Sequence, residues 1–383
     1  MQFKILSLLG LAAHAAAQTS NNTLNSTLSS RPELSNLTSL LNTNSALVAA
    51  LENASNVTIL APSNEAFAAL DMSSLTDSSL VDALLQYHVL NGTYTAAQIT
   101  DMSTFVPTLL NNKSYSNITG GQVVECIKVG DETVFYSGLL QNSTVTTADV
   151  NFTGGVMHIV DRVLTLPVDV LDTASAAGLS SFHGAVNATD LSNVANYTPD
   201  LTIFAPNNEA FRSVYDALQN LSSNDLTNII SYHVVNGSSP HYSSTLQSGT
   251  MLQTILGQNL AITIENGTVF VNAARVITPN VLVANGVVHI IDNVLNPSNT
   301  EVANSTQASG APAYTATASA SEDPFTSGQS APSTTIGSIP TSGSAGPTSS
   351  SRSTAGAHMP MKTGTISYGA LLGAGAAVLG GLI

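Results

Sequence analysis

Three blocks of this sequence occur twice, in the same order, and that duplication limits the fold more than any other feature. Thr58-Ile59-Leu60-Ala61-Pro62-Ser63-Asn64-Glu65-Ala66-Phe67 returns as Thr202-Ile203-Phe204-Ala205-Pro206-Asn207-Asn208-Glu209-Ala210-Phe211. Tyr87-His88-Val89-Leu90-Asn91-Gly92 returns as Tyr232-His233-Val234-Val235-Asn236-Gly237. Gly155-Val156-Met157-His158-Ile159-Val160-Asp161-Arg162-Val163-Leu164 returns as Gly286-Val287-Val288-His289-Ile290-Ile291-Asp292-Asn293-Val294-Leu295. The spacing describes two copies of one domain, at 31–167 and 168–297, and not a short-period solenoid.

Each block has a local physical reading. Thr58–Leu60 is a short apolar strand that Pro62 ends, because proline donates no ladder hydrogen bond. Ser63 or Asn64 can cap the helix that follows, and Glu65, like Glu209, suits its positive end. Leu80, Leu84 and Tyr87 share one helical stripe, as do Leu226, Ile229, Ile230 and His233. Asn91-Gly92 and Asn236-Gly237 read as tight turns. The third block is a dense apolar strand with a histidine inside it. Leu260–Ile264 and Thr268–Val271 form a hairpin around Asn266-Gly267.

Outside the repeats the chain changes character. Met1–Ala17 has Lys4, an apolar stretch and the small residues Ala15-Ala16-Ala17, which is the pattern of a signal peptide; 18–30 is a short segment before the first domain. From 298 to 355 the sequence is mostly Ser, Thr, Ala, Gly and Pro, too poor in large apolar residues to bury a core, and reads as a disordered, O-glycosylated stalk. Small residues at Ser353, Ala355 and Gly356, a polar spacer and the apolar run Ile366–Ile383 follow the pattern of a GPI-attachment signal, with 356–383 removed.

Charged residues make up only 9% of the 383-residue chain, and the formal net charge is −15. No basic cluster exists to meet a nucleic-acid backbone, so that class of partner is excluded. Sixteen N-x-S/T sequons compensate for the missing charge with sites for sugar: Asn21, Asn25, Asn36, Asn53, Asn56, Asn91, Asn112, Asn117, Asn142, Asn151, Asn187, Asn196, Asn220, Asn236, Asn266 and Asn304. Pro199, just beyond the Asn196 sequon, hinders that one. The single cysteine, Cys126, cannot form an internal bridge and reads as a small buried hydrophobe in a strand Val123–Val129.

The three repeated blocks together resemble those of tandem fasciclin-domain proteins, and the stalk and anchor signal resemble the fasciclin-like surface proteins of fungi and plants. The resemblance implies an α+β fold: two tandem domains, each a wedge of twisted strands with surrounding helices. It also implies a role in cell adhesion or in contact with the cell wall or matrix. Partners would be glycan or protein components of those surfaces, with self-association as a further mode. The secretory route leads to the extracellular face of the plasma membrane, the cell wall or the vacuolar membrane. The chain has no Arg-Gly-Asp tripeptide, so integrin binding is not carried over. The Tyr-His pairs Tyr87-His88 and Tyr232-His233 become candidates for an adhesion surface by the same resemblance, against the alternative that each ring fills the gap between helix and sheet.

His88, His158 and Asp161, with His233, His289 and Asp292, also invite a metal or acid–base reading. Each histidine lies in an apolar run, where a buried, backbone-bonded imidazole is the commoner outcome. Neither a metal site nor a catalytic residue is assigned, and no cofactor is expected. Nucleophile elbow, P-loop and H-E-x-x-H motifs are all missing from the sequence. A non-enzymatic adhesion protein is therefore the leading reading. A carrier of a lipid, sterol or haem comes second, and an enzyme acting on extracellular polymer third.

Overall fold

In the computed structural model, residues 22–70, 77–219, 221–302, 310, 313–314 and 319–327 are described. The expected signal peptide, the attachment candidates Ser353, Ala355 and Gly356, the apolar tail, and Asn21, Asn220 and Asn304 lie outside them. No helix among the described residues is long and apolar enough to cross a membrane.

Domain 1 opens with α1 (Leu24–Ser29), α2 (Ser35–Thr43) and α3 (Ser45–Glu52), and continues through β1 (Val57–Pro62), α4 (Asn64–Ala68), α5 (Ser78–Tyr87) and β2 (Val89–Asn91). It closes with β3 (Thr104–Pro107), β4 (Val123–Val129), β5 (Glu132–Tyr136), β6 (Asn142–Phe152) and β7 (Gly155–Val160). Domain 2 runs α6 (Val170–Ala176), α7 (Ser180–Ala188), α8 (Ser192–Tyr197), β8 (Leu201–Pro206), α9 (Asn208–Ser213), α10 (Tyr215–Gln219), α11 (Ser223–Tyr232) and β9 (Val234–Asn236). Then come β10 (Met251–Gln253), β11 (Asn259–Glu265), β12 (Thr268–Val271), β13 (Ala274–Val283) and β14 (Gly286–Ile291).

Each domain carries one seven-stranded sheet, ordered β2-β1-β7-β6-β5-β4-β3 in the first and β10-β11-β12-β13-β14-β8-β9 in the second. The first and third blocks pair in parallel, Leu60 opposite His158 and Phe204 opposite His289; the other pairings are antiparallel. A bridge between Leu90 and Thr108, matched by Val235 and Thr254, brings the two edge strands together and makes each sheet barrel-like. The glycine that opens the third block is dictated by this pairing. A Cβ on Gly155 would collide with the Val57 carbonyl oxygen, and one on Gly286 with that of Leu201.

The structure refines several expectations. Pro62 and Pro206 end their strands as expected, but as paired last residues, opposite Val160 and Ile291. Ser63 and Asn207 are the helix caps, accepting the Ala66 and Ala210 amides. Gly92 has positive φ, as does the Asn266-Gly267 hairpin turn, but Gly237 does not. His88 and His233 occupy helix C-caps and are not inside strands. Cys126 is a buried free thiol in β4, with its pKa pushed up to about 12 by burial and by neighbouring Glu125.

Segments beyond the repeat complete both domains. Leu24 and Leu28 of α1 join the first core, and the Asn22 carbonyl accepts both the amide and the hydroxyl of Thr153. In domain 2, part of the segment read as a stalk is packed onto the domain: Tyr314 and Phe325 lie against its core, and Pro324 is buried. Phe325 meets Phe211 edge-on at 5.9 Å between ring centroids, and the Asp323 carboxylate accepts from Arg212 and Asn208. Two large side chains were enough to anchor the segment. It lies so close to α7 that a Cβ on Gly184 would collide with the Phe325 carbonyl oxygen.

Candidate functional site

The four repeated histidines are buried, each 4% exposed or less. His88 Nδ1 lies 2.7 Å from the Leu84 carbonyl, which can only accept, so Nδ1 carries the proton. Its Nε2 then accepts the Leu164 amide at 2.9 Å. His233 repeats this with the Ile229 carbonyl and the Leu295 amide. The third-block histidines use the opposite tautomer. His158 Nε2 donates to the Tyr94 carbonyl at 2.7 Å and His289 Nε2 to that of His241 at 2.9 Å, while their Nδ1 atoms accept the Asp149 and Asn280 amides. Burial holds His88, His233 and His289 down at about 4, so they are neutral.

These imidazoles therefore tie distant stretches of backbone together. His88 and His233 join a helix end to the segment after the last strand. His158 and His289 join that strand to the loop after the Tyr-His block. Asp161 and Asp292 are engaged elsewhere, accepting the Thr144 and Arg275 amides across the sheet. Sequence proximity of His158 to Asp161 thus does not bring their functional atoms together. Among the described residues, no three His, Cys, Asp or Glu side chains are grouped to hold a metal ion.

The adhesion-surface assignment of Tyr87, His88, Tyr232 and His233 is corrected by the same geometry. Tyr87 and Tyr232 are fully buried and donate their hydroxyls to the Val123 and Asn259 carbonyls at 3.0 Å, filling the space between helix and sheet. No partner reaches them on the folded surface. Two apolar clefts among the described residues are too small for a large ligand. One in domain 1, lined by Leu37, Phe67, Val81, Leu84, His88 and Val163, encloses about 10 Å³, enough for one water but far below the volume of a lipid, sterol or haem.

What the sequence did not reveal is the joint between the domains. Phe105 of β3 stacks on Tyr242 with ring centroids 4.2 Å apart and planes within 9°. Val123, Leu282 and Val287 complete an apolar cluster with Tyr242. Around it, Gln122 donates to the Val283 carbonyl at 3.1 Å. The Thr119 amide and hydroxyl donate to the two Asp200 oxygens at 2.8 and 2.6 Å. The Asn117 amide nitrogen donates to Ala284 at 2.7 Å and its side chain to the Tyr197 carbonyl at 2.8 Å.

Glu125 sits inside this joint with no exposure. One oxygen faces Asn280 Nδ2 of domain 2 at 3.4 Å; the other is buried without a partner. Burial raises its pKa to about 7, against smaller lowering by hydrogen bonds from Ser103 and Asn280. A lone carboxylate in a largely apolar strand was the one sequence signal available. Phe105 and Tyr242 lie outside the repeated blocks and gave none.

Eleven of the thirteen described sequon asparagines are exposed. The two half-buried ones, Asn117 and Asn196, both lie beside the joint: Asn117 reaches Tyr197, and Asn196 accepts the Leu171 amide.

Two sheets of this topology, each pinned by the same pair of histidines, define a tandem fasciclin architecture, and the chain belongs to the fasciclin family: residues 32–167 and 177–297 match the Fasciclin domain. It is 36% identical over 317 residues to a fasciclin-like arabinogalactan protein of Arthroderma benhamiae, covering 81% of this chain and 75% of the relative. A fasciclin-like arabinogalactan protein of Cercospora beticola is 29% identical, with 78% and 81% covered. Human periostin is 27% identical over 64% of this chain, which spans 29% of that longer protein. A solved FAS1 domain pair from the insect cell adhesion molecule fasciclin I covers 70% of this chain and 99% of its own at 22% identity, with a TM-score of 0.35.

Proposed function

We propose that this is a secreted, N-glycosylated, lipid-anchored surface protein that mediates cell adhesion or contact with the cell wall or matrix, and that it works as a docked pair of domains without catalysis. The observation that carries the reading is the placement of the sequons: asparagines scattered through the sequence fold onto the outside of two otherwise charge-poor domains. The relatives named as fasciclin-like arabinogalactan proteins support a glycan-rich extracellular setting. Residues 353–383 supply the attachment signal, and the Ser/Thr-rich segment beyond 327 the spacer.

Phosphatidylinositol-specific phospholipase C is expected to release the protein from membranes, and N-glycosidase to lower its apparent mass by many kilodaltons. Peptides from Ile366–Ile383 in the mature protein would exclude the lipid anchor. Released protein arrayed against cell-wall glycans and intact cells is expected to bind a subset of them. Binding that survives only while the glycans remain would place recognition on the sugar; no binding to any surface would sink the adhesion role.

A further inference from the structure

The Asn117-Ile118-Thr119 sequon is built into the joint. All four of its polar hydrogen-bonding contacts described above go to domain 2: the Asn117 amide to Ala284, its side chain to Tyr197, and the Thr119 amide and hydroxyl to Asp200. Ile118, between them, is 5% exposed. The side-chain oxygen of Asn117 meanwhile accepts from Lys113 at 3.2 Å, so the amide group is fixed in orientation with its nitrogen toward domain 2. The other half-buried sequon differs: Asn196 is held within its own domain by the Leu171 amide.

N-glycosylation acts on that same nitrogen. The side-chain amide loses one hydrogen and bonds to C1 of an oligosaccharide delivered as a lipid-linked pyrophosphate. The C1–O bond to the pyrophosphate breaks, and the lipid pyrophosphate leaves. The product keeps one N–H but carries a sugar ring where the Tyr197 backbone now approaches to 2.8 Å. Order of synthesis decides which event comes first. Asn117 precedes Tyr197 by 80 residues and its other partners by more, so it can be modified before the surface it docks against exists.

We propose that the Asn117 sequon is a covalent control point of the joint: chains bare at Asn117 dock their two domains, and chains bearing an N-linked oligosaccharide there hold them apart. The proposal rests on the secreted-glycoprotein reading for the source of the sugar, but the docking claim stands on geometry alone. Modification at the exposed asparagines, such as Asn56 or Asn142, leaves docking untouched.

The test uses the whole protein secreted from a eukaryotic host, separated by hydrodynamic size and mapped by glycopeptide mass spectrometry. Asn117 is expected bare in the compact fraction, and any Asn117 glycoform is expected in an extended fraction with a larger radius of gyration by X-ray scattering and two separate unfolding transitions. Glycan on Asn117 in the compact species would overturn the proposal. A second arm needs no glycosylation. Asn117→Cys, made together with Cys126→Ala so that the new thiol is the single cysteine, keeps three of the four contacts and is labelled with a bulky maleimide under mild unfolding before refolding. The unlabelled variant is expected to stay compact and the labelled one to extend; a labelled chain that stays compact also overturns the proposal. A map with no sugar on any sequon would remove the glycoprotein reading while the maleimide arm still decides the docking claim.

Discussion

Domain 1 and domain 2 share strand order, histidine tautomers and even the left-handed residue in the long sixth or thirteenth strand, yet that residue differs: Asp149 in the first, Asn280 in the second. Both accept a loop amide through the side chain, Asp149 from Ala96 and Asn280 from Ser243. Both also donate their backbone amide to the histidine below. Asp149 is partly exposed, whereas Asn280 is buried against Glu125 of the other domain. A carboxylate serves where water reaches it. In the joint the amide supplies the same acceptor and adds a donor, Nδ2, for Ser243 and Glu125. The duplicated fold is the same in both copies, and the position that meets the neighbour carries the neutral side chain.

The strongest test of the shared part is to remove the ties that both domains use. His158→Ala and His289→Ala should each cost about 3 kcal/mol, by opening a cavity and leaving a carbonyl and an amide unpaired. Urea denaturation of each variant measures this. A large loss in one domain and none in the other would break the equivalence of the two copies.

The different part is tested by exchanging the residues. Asn280→Asp places a second carboxyl group beside Glu125 and should weaken the joint by about 2 kcal/mol or more, seen as separation of the domain unfolding transitions. Asp149→Asn keeps the acceptor and should change stability by less than about 1 kcal/mol. Equal effects from the two exchanges would mean that the joint does not distinguish these positions.

Protonation sharpens the same contrast. Glu125 is raised from 4.5 to about 7, so its contribution is full below about 4.5 and is lost as pH rises through 7. His88, His233 and His289 are lowered from 6.5 to about 4, so theirs is full above 6.5 and is lost as pH falls toward 4. Between about pH 4.5 and 6.5 the two trends oppose each other, three imidazoles against one carboxyl, so stability should rise toward neutral pH, and Glu125→Gln should steepen that rise. An unchanged slope in that variant would remove Glu125 from the explanation.

The smallest effect belongs to the segment that only domain 2 has. Phe325→Ala should cost about 1–2 kcal/mol in domain 2 and nothing in domain 1. Asp323→Asn, at a half-exposed ion pair, should cost less, about 0.5 kcal/mol. Thermal unfolding of both variants checks the order.

The blocks were readable because their residues obey local rules. Ser63 caps a helix, Asn266-Gly267 turns a hairpin, and the Val123–Val129 strand has the bounds that its apolar run suggests. The repeat then carried each reading across to the second copy. The tertiary roles were hidden. His88 bonds to Leu164 across 76 residues, and nothing near His88 in the sequence signals it. Tyr87 is a surface candidate only through the family resemblance; its place on the Leu80–Leu84 stripe points inward, and β4 covers it. The joint was least visible: Phe105 and Tyr242 are ordinary aromatic residues until two separately folded surfaces meet.

The clasp of residues 319–327 on domain 2 also sets where mechanical load enters the protein. Tension applied beyond Ser327 arrives first at Phe325 and Asp323 and is passed to α9 through Phe211, Asn208 and Arg212. When the clasp yields, the load passes next to Tyr314, whose hydroxyl donates to the Leu295 carbonyl, so about 10 residues of slack, on the order of 35 Å at full extension, enter the line first. Arg212 and Phe325 thus act as a fuse in series with the sheet.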